Sequence, residues 1–474
     1  MGAIRLRNLA AAGALALVSA CTGACGAGGA GTRAAAAGTG TVPAPAARAD
    51  TSAGVVELIR RAAVPLTGGD RDYDTLMAMI GDARFVLLGE ATHGTHEFYA
   101  ERARITRRLI EEKGFTAIAV EGDWPHAERA HLWARGQGSD AGAAQALAGF
   151  RTGFPQWMWS NADVAGLMTW MQGFNQRAPA AARAGFYGLD VYTLFPSAQA
   201  VERYLAGVDP QAARRARGRY DCFRRYGDDP QRYGAAAAGG GGCRTQAREQ
   251  REEIERLYAA LPASAPDSAA DALFSALRNA FVVENAEEYF RTGFEGGEST
   301  WNLRDQHMAE ALQALSAHLS RRGRSPKVVV WAHNTHSGDA RVTQMGEAGE
   351  LNLGHLMRET FDGQTFLLGF TTYTGTVLAA TAWGQPARVR NVRPALPESY
   401  SGLFHRTGIG NFFLPLRGTG ALAQALGTPR LERAIGVIYL PESERASHYF
   451  DARLSQQFDA VVHIDTSTAL TPLR

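Results

Sequence analysis

Short apolar runs alternate with amphipathic stretches along most of the chain. Residues 84–90 (RFVLLGE) form a continuous apolar run that ends in a glycine and a carboxylate, as expected of a buried parallel strand. Residues 97–113 follow with apolar positions at helical spacing, and Gly114 is expected to end that helix. Further strands are expected at 115–123, 184–192, 327–334, 365–381, 434–440 and 458–465. This rhythm predicts an α/β fold with a mainly parallel central sheet flanked by helices.

Two stretches depart from this rhythm and suggest additions to the core. Residues 195–323 are charged and helix-periodic with almost no strand signal, which predicts an inserted α-helical domain. Residues 383–432 are richer in proline, glycine and aromatic side chains, which predicts a small α+β subdomain. The α/β core is then expected in three parts, at 53–194, 324–382 and 433–474.

The N-terminal end has the form of an export signal. Residues 1–20 carry two arginines, then an apolar stretch and small residues, which indicates a signal peptide too short to span a membrane. The sequence VSAC resembles a bacterial lipobox, so Cys21 is predicted to be lipidated and to anchor a cell-surface or periplasmic lipoprotein. Plain secretion, with Cys21 a bystander, is the alternative. Residues 21–52 are nearly all Ala, Gly, Thr and Pro and predict a flexible tether.

Charge and cysteine content exclude several classes of function. The 49 basic and 47 acidic residues nearly balance, so no nucleic-acid partner is expected, and the membrane is expected to be met only through the N-terminal lipid. The oligomeric state stays open. Apart from Cys21 and Cys25, the chain has only Cys222 and Cys243. In an exported protein these two favour a disulfide over free thiols, and a lone pair so far apart does not make a zinc site.

Polar side chains follow the strands at the point where each strand ends. Because ligands bind outside the carboxyl ends of parallel strands, these side chains are expected to meet at one edge of the sheet. A single polar turn would more often be a helix cap, but several turns at one edge are hard to explain in that way. The residues, in the order of the four strands, are Glu90 and His93, Glu121 and Asp123, Asp190, and His333 and His336.

Several motifs together resemble the erythromycin esterase family. They are GEATHGTHEFYAERARITRRL, VEGDWP, FYGLDVY, WNLRDQHMAE, WAHNTHSGD and AIGVIYLPESERASHYFDARLSQQFDAVVHID, in family order. The resemblance runs from about residue 55 to 470, and the pair Cys222 and Cys243 also matches a recurrent family feature.

The resemblance implies hydrolysis of a macrolide lactone ester, metal-independent or weakly metal-linked, with a histidine as general base. That histidine corresponds to His93. The other family positions correspond to Glu90, Arg102, Glu121, Arg304 and His333. The family is broad, so these motifs define the site better than they define the ligand.

The residues themselves fit ester hydrolysis by activated water. The chain has no G-x-S-x-G motif, so an activated serine is not expected. A histidine flanked by carboxylates can instead deprotonate water, which makes His93 the base and Glu90 and Glu121 its orienting partners. Arg304 and His333 are candidates to stabilise the oxyanion. The predicted substrate-binding residues, for a small-molecule ester or macrolide, are Arg102, His336 and Asp190.

Two other functions fit the same cluster. No cofactor is expected, but a divalent metal held by Glu90, His93, Glu121 and His333 would give a metal-dependent hydrolase. A non-catalytic surface protein that binds a polyketide or glycan would use the same pocket. His96 begins an H-E-x-x-H pattern, but Ala100 occupies its last position, so no zincin helix exists and His96 is expected to be a supporting residue.

Overall fold

The computed structural model describes the chain from residue 46 onward, with short gaps, and its side chains from residue 52. The described ranges are 46–296, 299–321, 323, 325–418 and 420–474. The predicted signal peptide at 1–20, the lipidation of Cys21 and most of the predicted tether lie outside these residues. The last part of the segment expected as a tether is helical, because α1 spans Ala46–Ala62. Val56 and Ile59 of this helix are buried in the apolar core, so the helix packs against the domain.

A mixed sheet forms the centre of the molecule. Its order is β1-β8-β11-β6-β2-β5-β3-β4, with β7 paired to β6. The strands from β11 to β4 run parallel, whereas β1, β7 and β8 pair antiparallel. A separate ribbon joins β9 to β10. The strands are β1 (Val64–Pro65), β2 (Phe85–Leu88), β3 (Ala117–Asp123), β4 (Gly185–Asp190), β5 (Val328–Trp331), β6 (Thr365–Ala379), β7 (Arg388–Val392), β8 (Phe412–Pro415), β9 (Arg430–Arg433), β10 (Tyr449–Ala452) and β11 (Ala460–Ser467).

Helices cover both faces of the sheet. One apolar core lies between the sheet and α2, α3, α4 and α6, and the other lies under α1, α12, α15 and α16. The predicted α/β fold with a mainly parallel sheet flanked by helices is confirmed. The helices after α1 are α2 (Asp74–Ile80), α3 (His96–Lys113), α4 (Trp124–Ala134), α5 (Ala143–Ala146), α6 (Ala162–Arg177), α7 (Leu194–Val208), α8 (Pro210–Arg224), α9 (Pro230–Ala236), α10 (Arg244–Ala259), α11 (Asp267–Glu295), α12 (Thr300–Ser320), α13 (Asn334–Ser337), α14 (Gln344–Glu347), α15 (Leu353–Thr360), α16 (Tyr400–His405), α17 (Ala421–Leu426), α18 (Glu444–Ser447) and α19 (Leu454–Gln457).

The stretch between β4 and β5 consists of helices α7 to α12. It has an apolar core of its own, in which Val201, Tyr220 and Val283 are buried. Cys222 and Cys243 are joined in a disulfide, with their Cα atoms 6.1 Å apart. None of the helices in the described part of the chain combines the length and apolarity that a membrane span requires.

Two segments differ from the sequence-based expectation. Residues 383–432 contain both helices and strands, but β7 and β8 join the central sheet, so the segment extends the core instead of forming a separate subdomain. Residues 434–440 were expected as a strand, yet they make only isolated bridges from Ile435 to Thr92 and from Ile438 to Ala380. Their backbone partners belong to irregular turns, so no continuous ladder forms.

Candidate active site

Three neighbouring strands bring the predicted base and its partners together. Glu90 and His93 follow β2, Glu121 lies near the end of β3, and His333 follows β5, which lies between β2 and β3. Nδ1 of His93 is 2.9 Å from a Glu90 carboxylate oxygen, and Nε2 is 3.8 Å from Oε1 of Glu121. The rings of His93 and His333 lie 4.9 Å apart. The structure therefore forms one cluster from the ends of separate strands.

Two glycines let the backbone make the turn that carries His93. A Cβ atom at Gly89 would lie 2.2 Å from Oδ1 of Asn334, and one at Gly94 would lie 1.9 Å from the carbonyl oxygen of Leu378. Both distances are far below van der Waals contact, so any side chain would push the turn away from its neighbours. The close approach of these backbones positions His93 between them.

Arg102 lies behind Glu90 instead of at the surface of the site. Its Nη2 donates to the second oxygen of Glu90 at 2.7 Å, and its guanidinium lies 4.4 Å and 4.6 Å from the ring centres of Tyr99 and Trp331. Arg102 is 0 % exposed. In the structure Arg102 therefore contacts the Glu90 carboxylate, and its predicted contact with a substrate stays a prediction.

Arg304 crosses from α12 of the helical insertion to the core. Its Nε and Nη2 donate to both oxygens of Asp190, at 2.8 Å and 2.6 Å, and Nη2 also donates to Glu121 at 2.8 Å. Burial disfavours its charge, but the Asp190 carboxylate outweighs this and holds the pKa of Arg304 above its ordinary value. These bonds join Arg304 to both Asp190 and Glu121, so the guanidinium links the ends of β4 and β3.

Glu121 is ionised despite its burial. Burial would raise the pKa of this carboxyl, but His336, His93 and Arg304 together outweigh that effect and hold it well below its usual range. Oε2 of Glu121 accepts a hydrogen bond of 2.8 Å from the backbone N–H of His333. Glu121 therefore joins the end of β3 to the end of β5 and supplies a fixed negative charge beside His93.

His333 presents a neutral ring with its proton on Nε2. The backbone N–H of Thr335 donates to Nδ1 at 3.3 Å, so Nδ1 acts as an acceptor. Nε2 is buried and has no hydrogen-bond partner among the residues described. Burial and the neighbouring His93 hold the pKa of His333 well below its ordinary value. A neutral N–H donor beside the base suits a group that binds a developing oxyanion.

His336 is held between a carboxylate and an indole. Its Nδ1 is 2.8 Å from Asp305, and Trp301 stacks on the ring with centroids 4.4 Å apart. Burial opposes the charge, but Asp305 and Glu121 raise the pKa of His336 to about 9. Nη1 of Arg304 lies 2.9 Å from Nε2, a contact that is a hydrogen bond only to the neutral ring. Because two carboxylates face the ring, we take the imidazolium as the form present near neutral pH.

Comparison with known proteins gives the family. The sequence model of the family described as erythromycin esterase matches residues 110–467. The chain belongs to the erythromycin esterase family. The erythromycin esterase type II of Escherichia coli is 23 % identical over 417 residues, which cover 84 % of this chain and 93 % of that protein. Membership of this family and the name of this relative support a hydrolase that acts on a small-molecule substrate.

Solved structures of similar proteins share the fold. A Bacillus cereus protein superposes with a TM-score of 0.73 at 18 % identity, over 89 % of this chain and 99 % of its own. A mutant of the erythromycin esterase EreC, in its open conformation, superposes with a TM-score of 0.57 at 17 % identity, over 84 % of this chain and 94 % of its own. The range matched by the family model begins after the turn that carries His93, so the roles of Glu90 and His93 rest on the contacts described above.

Several residues that contact this cluster were not among the predicted site residues. Asp305 and Trp301 hold His336, and Asn334 donates from its backbone to the carbonyl oxygen of Glu90 at 2.8 Å. Each lies within a motif that carries the family resemblance, so a polar or aromatic neighbour of a mapped residue was the available signal. His96 lies apart from the cluster, where its Nδ1 contacts Asp163 at 2.9 Å.

The contacts of the four expected metal ligands can be compared with the hypothesis of a metal-dependent hydrolase. In the residues that the structure describes, no group of three or more His, Cys, Asp or Glu side chains is arranged to hold a metal ion. Of the four expected ligands, Glu90 is paired with Arg102 and Glu121 with Arg304. A divalent ion on these carboxylates would have to displace a buried arginine or share a carboxylate with it, so the residues present fit a metal poorly.

The pH dependence of stability tests the charge on His336. Its folded-state pKa of about 9 lies above the ordinary value of 6.5, so its stabilising contribution is complete below pH 6.5 and is lost as the pH rises through 9. The stability difference between the parent and His336→Gln is therefore expected to shrink with rising pH, by on the order of 3 kcal/mol across this window. Urea unfolding at several pH values measures it.

A second, partly buried histidine, His126, provides the control for this series. Burial lowers the pKa of His126 to about 4, so its ring stays neutral throughout the same window. The stability difference between the parent and His126→Gln should therefore not change with pH. A difference for His336→Gln that is equally flat would show that His336 is neutral in the folded protein.

Proposed function

We propose that the protein hydrolyses a carboxylic ester, macrolide lactones included, with His93 as the base that activates water. The observation that carries this proposal is the asymmetric setting of His93. Its Nδ1 is bound to Glu90 at 2.9 Å, whereas its Nε2 lies 3.8 Å from Glu121, beyond hydrogen-bond distance. The first contact holds the proton on Nδ1, so the lone pair on Nε2 faces the cluster and can accept a proton.

The reaction balances with the groups in place. Nε2 of His93 takes a proton from water while the water oxygen bonds to the ester carbonyl carbon. The carbonyl oxygen becomes an oxyanion, for which Nε2–H of His333 is the proposed donor, and one well-placed donor lowers the barrier by about 3 kcal/mol. The C–O bond to the alkoxide then breaks, and His93 returns its proton to that oxygen. Glu121, ionised beside Nε2, stabilises the imidazolium between the two transfers.

In this mechanism His333, and not Arg304, donates the hydrogen bond to the oxyanion. Nε and Nη2 of Arg304 donate to Asp190 and Glu121 at 2.6–2.8 Å. Nε2 of His333 is buried without a partner among the described residues, and a buried donor gains most from a new acceptor. Arg304 supports the reaction by holding Glu121 in its place.

Incubation of the purified protein with a panel of macrolides and simple esters tests the function. Mass spectrometry should find at least one substrate that gains the mass of one water, and His93→Ala should lose that product. Activity that disappears with a chelator and returns with one added metal would select the metal-dependent hydrolase instead. Ligand binding that His93→Ala leaves unchanged, with no turnover by the parent, would select the surface binding protein.

We also propose that the protein is exported and anchored by lipid at Cys21. The support is the VSAC sequence after an apolar stretch with two arginines before it. Replacing Cys21 by serine removes the lipid attachment point, so the protein is expected to move from the membrane fraction to the soluble fraction. Immunoblots of the two fractions measure this. Cys25→Ser is the matched control and should stay with the membranes; a Cys21→Ser protein that also stays there would contradict the anchor.

A further inference from the structure

Two loops extend beyond the catalytic cluster from opposite sides of the sheet edge. The first is the loop between β6 and β7, residues 380–387, which contains Trp383. Its root is tied to the catalytic turn, because the backbone N–H of Leu378 donates to the carbonyl oxygen of Gly94 at 3.0 Å. Gly94 directly follows His93 in the chain. The position of this loop is therefore fixed relative to the proposed base.

The second loop, residues 152–160, is tied to the strand that carries Glu121. The indole N–H of Trp159 donates to the carbonyl oxygen of Glu121 at 2.7 Å. A Cβ atom at Gly122 would lie 2.8 Å from this indole nitrogen, so the packing is as close as the backbone allows. Farther along the same loop, Trp157 is buried and its indole nitrogen has no hydrogen-bond partner in the described part of the chain.

An aromatic pair joins the two loops. The rings of Phe154 and Trp383 lie 4.7 Å apart and are tilted by 60°. Trp383 is nevertheless 41 % exposed. Phe294, an aromatic residue on α11, is exposed to a similar extent. One partly exposed ring contact is a weak link, whereas the roots of both loops are held by buried hydrogen bonds.

The side chains of the proposed catalytic cluster are almost closed to solvent. His93 is 7 % exposed, and Glu121 and His333 are each 4 % exposed. An ester must reach Nε2 of His93, so some contact around the cluster has to open when the substrate enters. The pair Phe154 and Trp383 joins the loop tied to the turn of His93 to the loop tied to Glu121. When the two rings move apart, the gap between these loops widens.

We propose that Phe154 and Trp383 form an aromatic rim that selects the substrate. The two rings part to admit an ester and then pack against its apolar face, which favours broad lactone rings over small acyl esters. This proposal rests on the proposed ester hydrolysis for its substrate class. Aromatic side chains supply large apolar contact area at a binding site.

Kinetics with two substrates test the rim. For Trp383→Ala and for Phe154→Ala, the ratio of kcat/KM between a macrolactone and p-nitrophenyl acetate is expected to fall about tenfold, through KM. Phe294→Ala, an exposed aromatic residue packed beside α9, is the matched control and should leave the ratio unchanged. An unchanged ratio in both rim variants, or an equal loss for both substrates, would overturn the rim.

A binding measurement separates failure of the rim from failure of the catalytic proposal. In a His93→Ala background, equilibrium dialysis should show that Trp383→Ala weakens macrolactone binding by about tenfold. This result would support the rim even if the parent hydrolysed neither ester, in which case only the catalytic proposal would fail. Macrolactone binding that is absent, or equally tight with and without Trp383, would overturn the rim whatever the turnover.

Discussion

His93→Ala is expected to lower kcat by about a hundredfold to ten-thousandfold while the protein stays folded. Loss of a general base has an effect of this size because water must then attack the ester without transferring its proton to a positioned acceptor. The substitution removes a side chain held by Glu90 on one side and close to Glu121 on the other. Steady-state kinetics on any ester that the parent hydrolyses, together with thermal unfolding to verify the fold, provide the measurement.

Three further variants show whether proton transfer is what His93 supplies. His93→Gln keeps a hydrogen bond to Glu90 but has no titrating nitrogen, so it should be almost as inactive. Glu121→Gln should be damaging but less so, since Glu121 stabilises the imidazolium without carrying the proton. His96→Ala, on a side chain 48 % exposed and paired with Asp163, should keep substantial activity. If His93→Ala itself kept most of its rate, the proposed mechanism would be wrong.

Arg304→Ala is expected to destabilise the fold by about 3–5 kcal/mol and to remove most activity. The substitution leaves the carboxylates of Asp190 and Glu121 buried at 3 % and 4 % exposure without their shared cation. Removing one partner of a buried ion pair has an effect of this size because the other charge is left uncompensated. The free energy of unfolding in urea measures the loss.

A surface arginine provides the comparison. Arg129 pairs with Asp140 at 2.6 Å, but its side chain is 43 % exposed. Because water screens an exposed pair, Arg129→Ala should reduce the free energy of unfolding by less than about 1 kcal/mol. Equal losses for Arg129→Ala and Arg304→Ala would mean that Arg304 does not hold the buried carboxylates.

The sequence predicted the elements of the core well because their signals are local. The apolar runs before Glu90 and Glu121 and the long helix ended by Gly114 are all present, and the polar side chains at the strand ends do meet at one edge of the sheet. The segment 434–440 shows the limit. Its apolar composition suits a strand, but its hydrogen-bond partners come from a turn far away in sequence, and no local pattern encodes them.

The roles of individual site residues were harder to predict because they depend on how deeply each side chain is buried and on which partners it meets. Arg102 and Arg304 are both arginines in helices, and the sequence offered each as a group that meets the substrate or the oxyanion. In the structure Arg102 is buried and paired with Glu90, and Arg304 is paired with Glu121, so both guanidiniums contact carboxylates of the cluster. A charged residue at a helical position gives the same sequence signal whether its side chain faces solvent or forms a buried ion pair. Only the tertiary structure distinguishes these two cases.

The turn that carries His93 contains two glycines that leave no room for a side chain, whereas the loops around it tolerate substitution. Gly89 and Gly94 are pressed so closely against Asn334 and Leu378 that even one extra carbon would collide with them. Selection is therefore expected to remove substitutions at these two positions. A Cβ atom at Gly153 or Gly384, beside Phe154 and Trp383, would meet no atom within 4 Å, so the loops that carry the proposed rim are free of this restriction. If the proposed function is right, descendants of this chain could accept different esters while the turn that carries His93 stays unchanged.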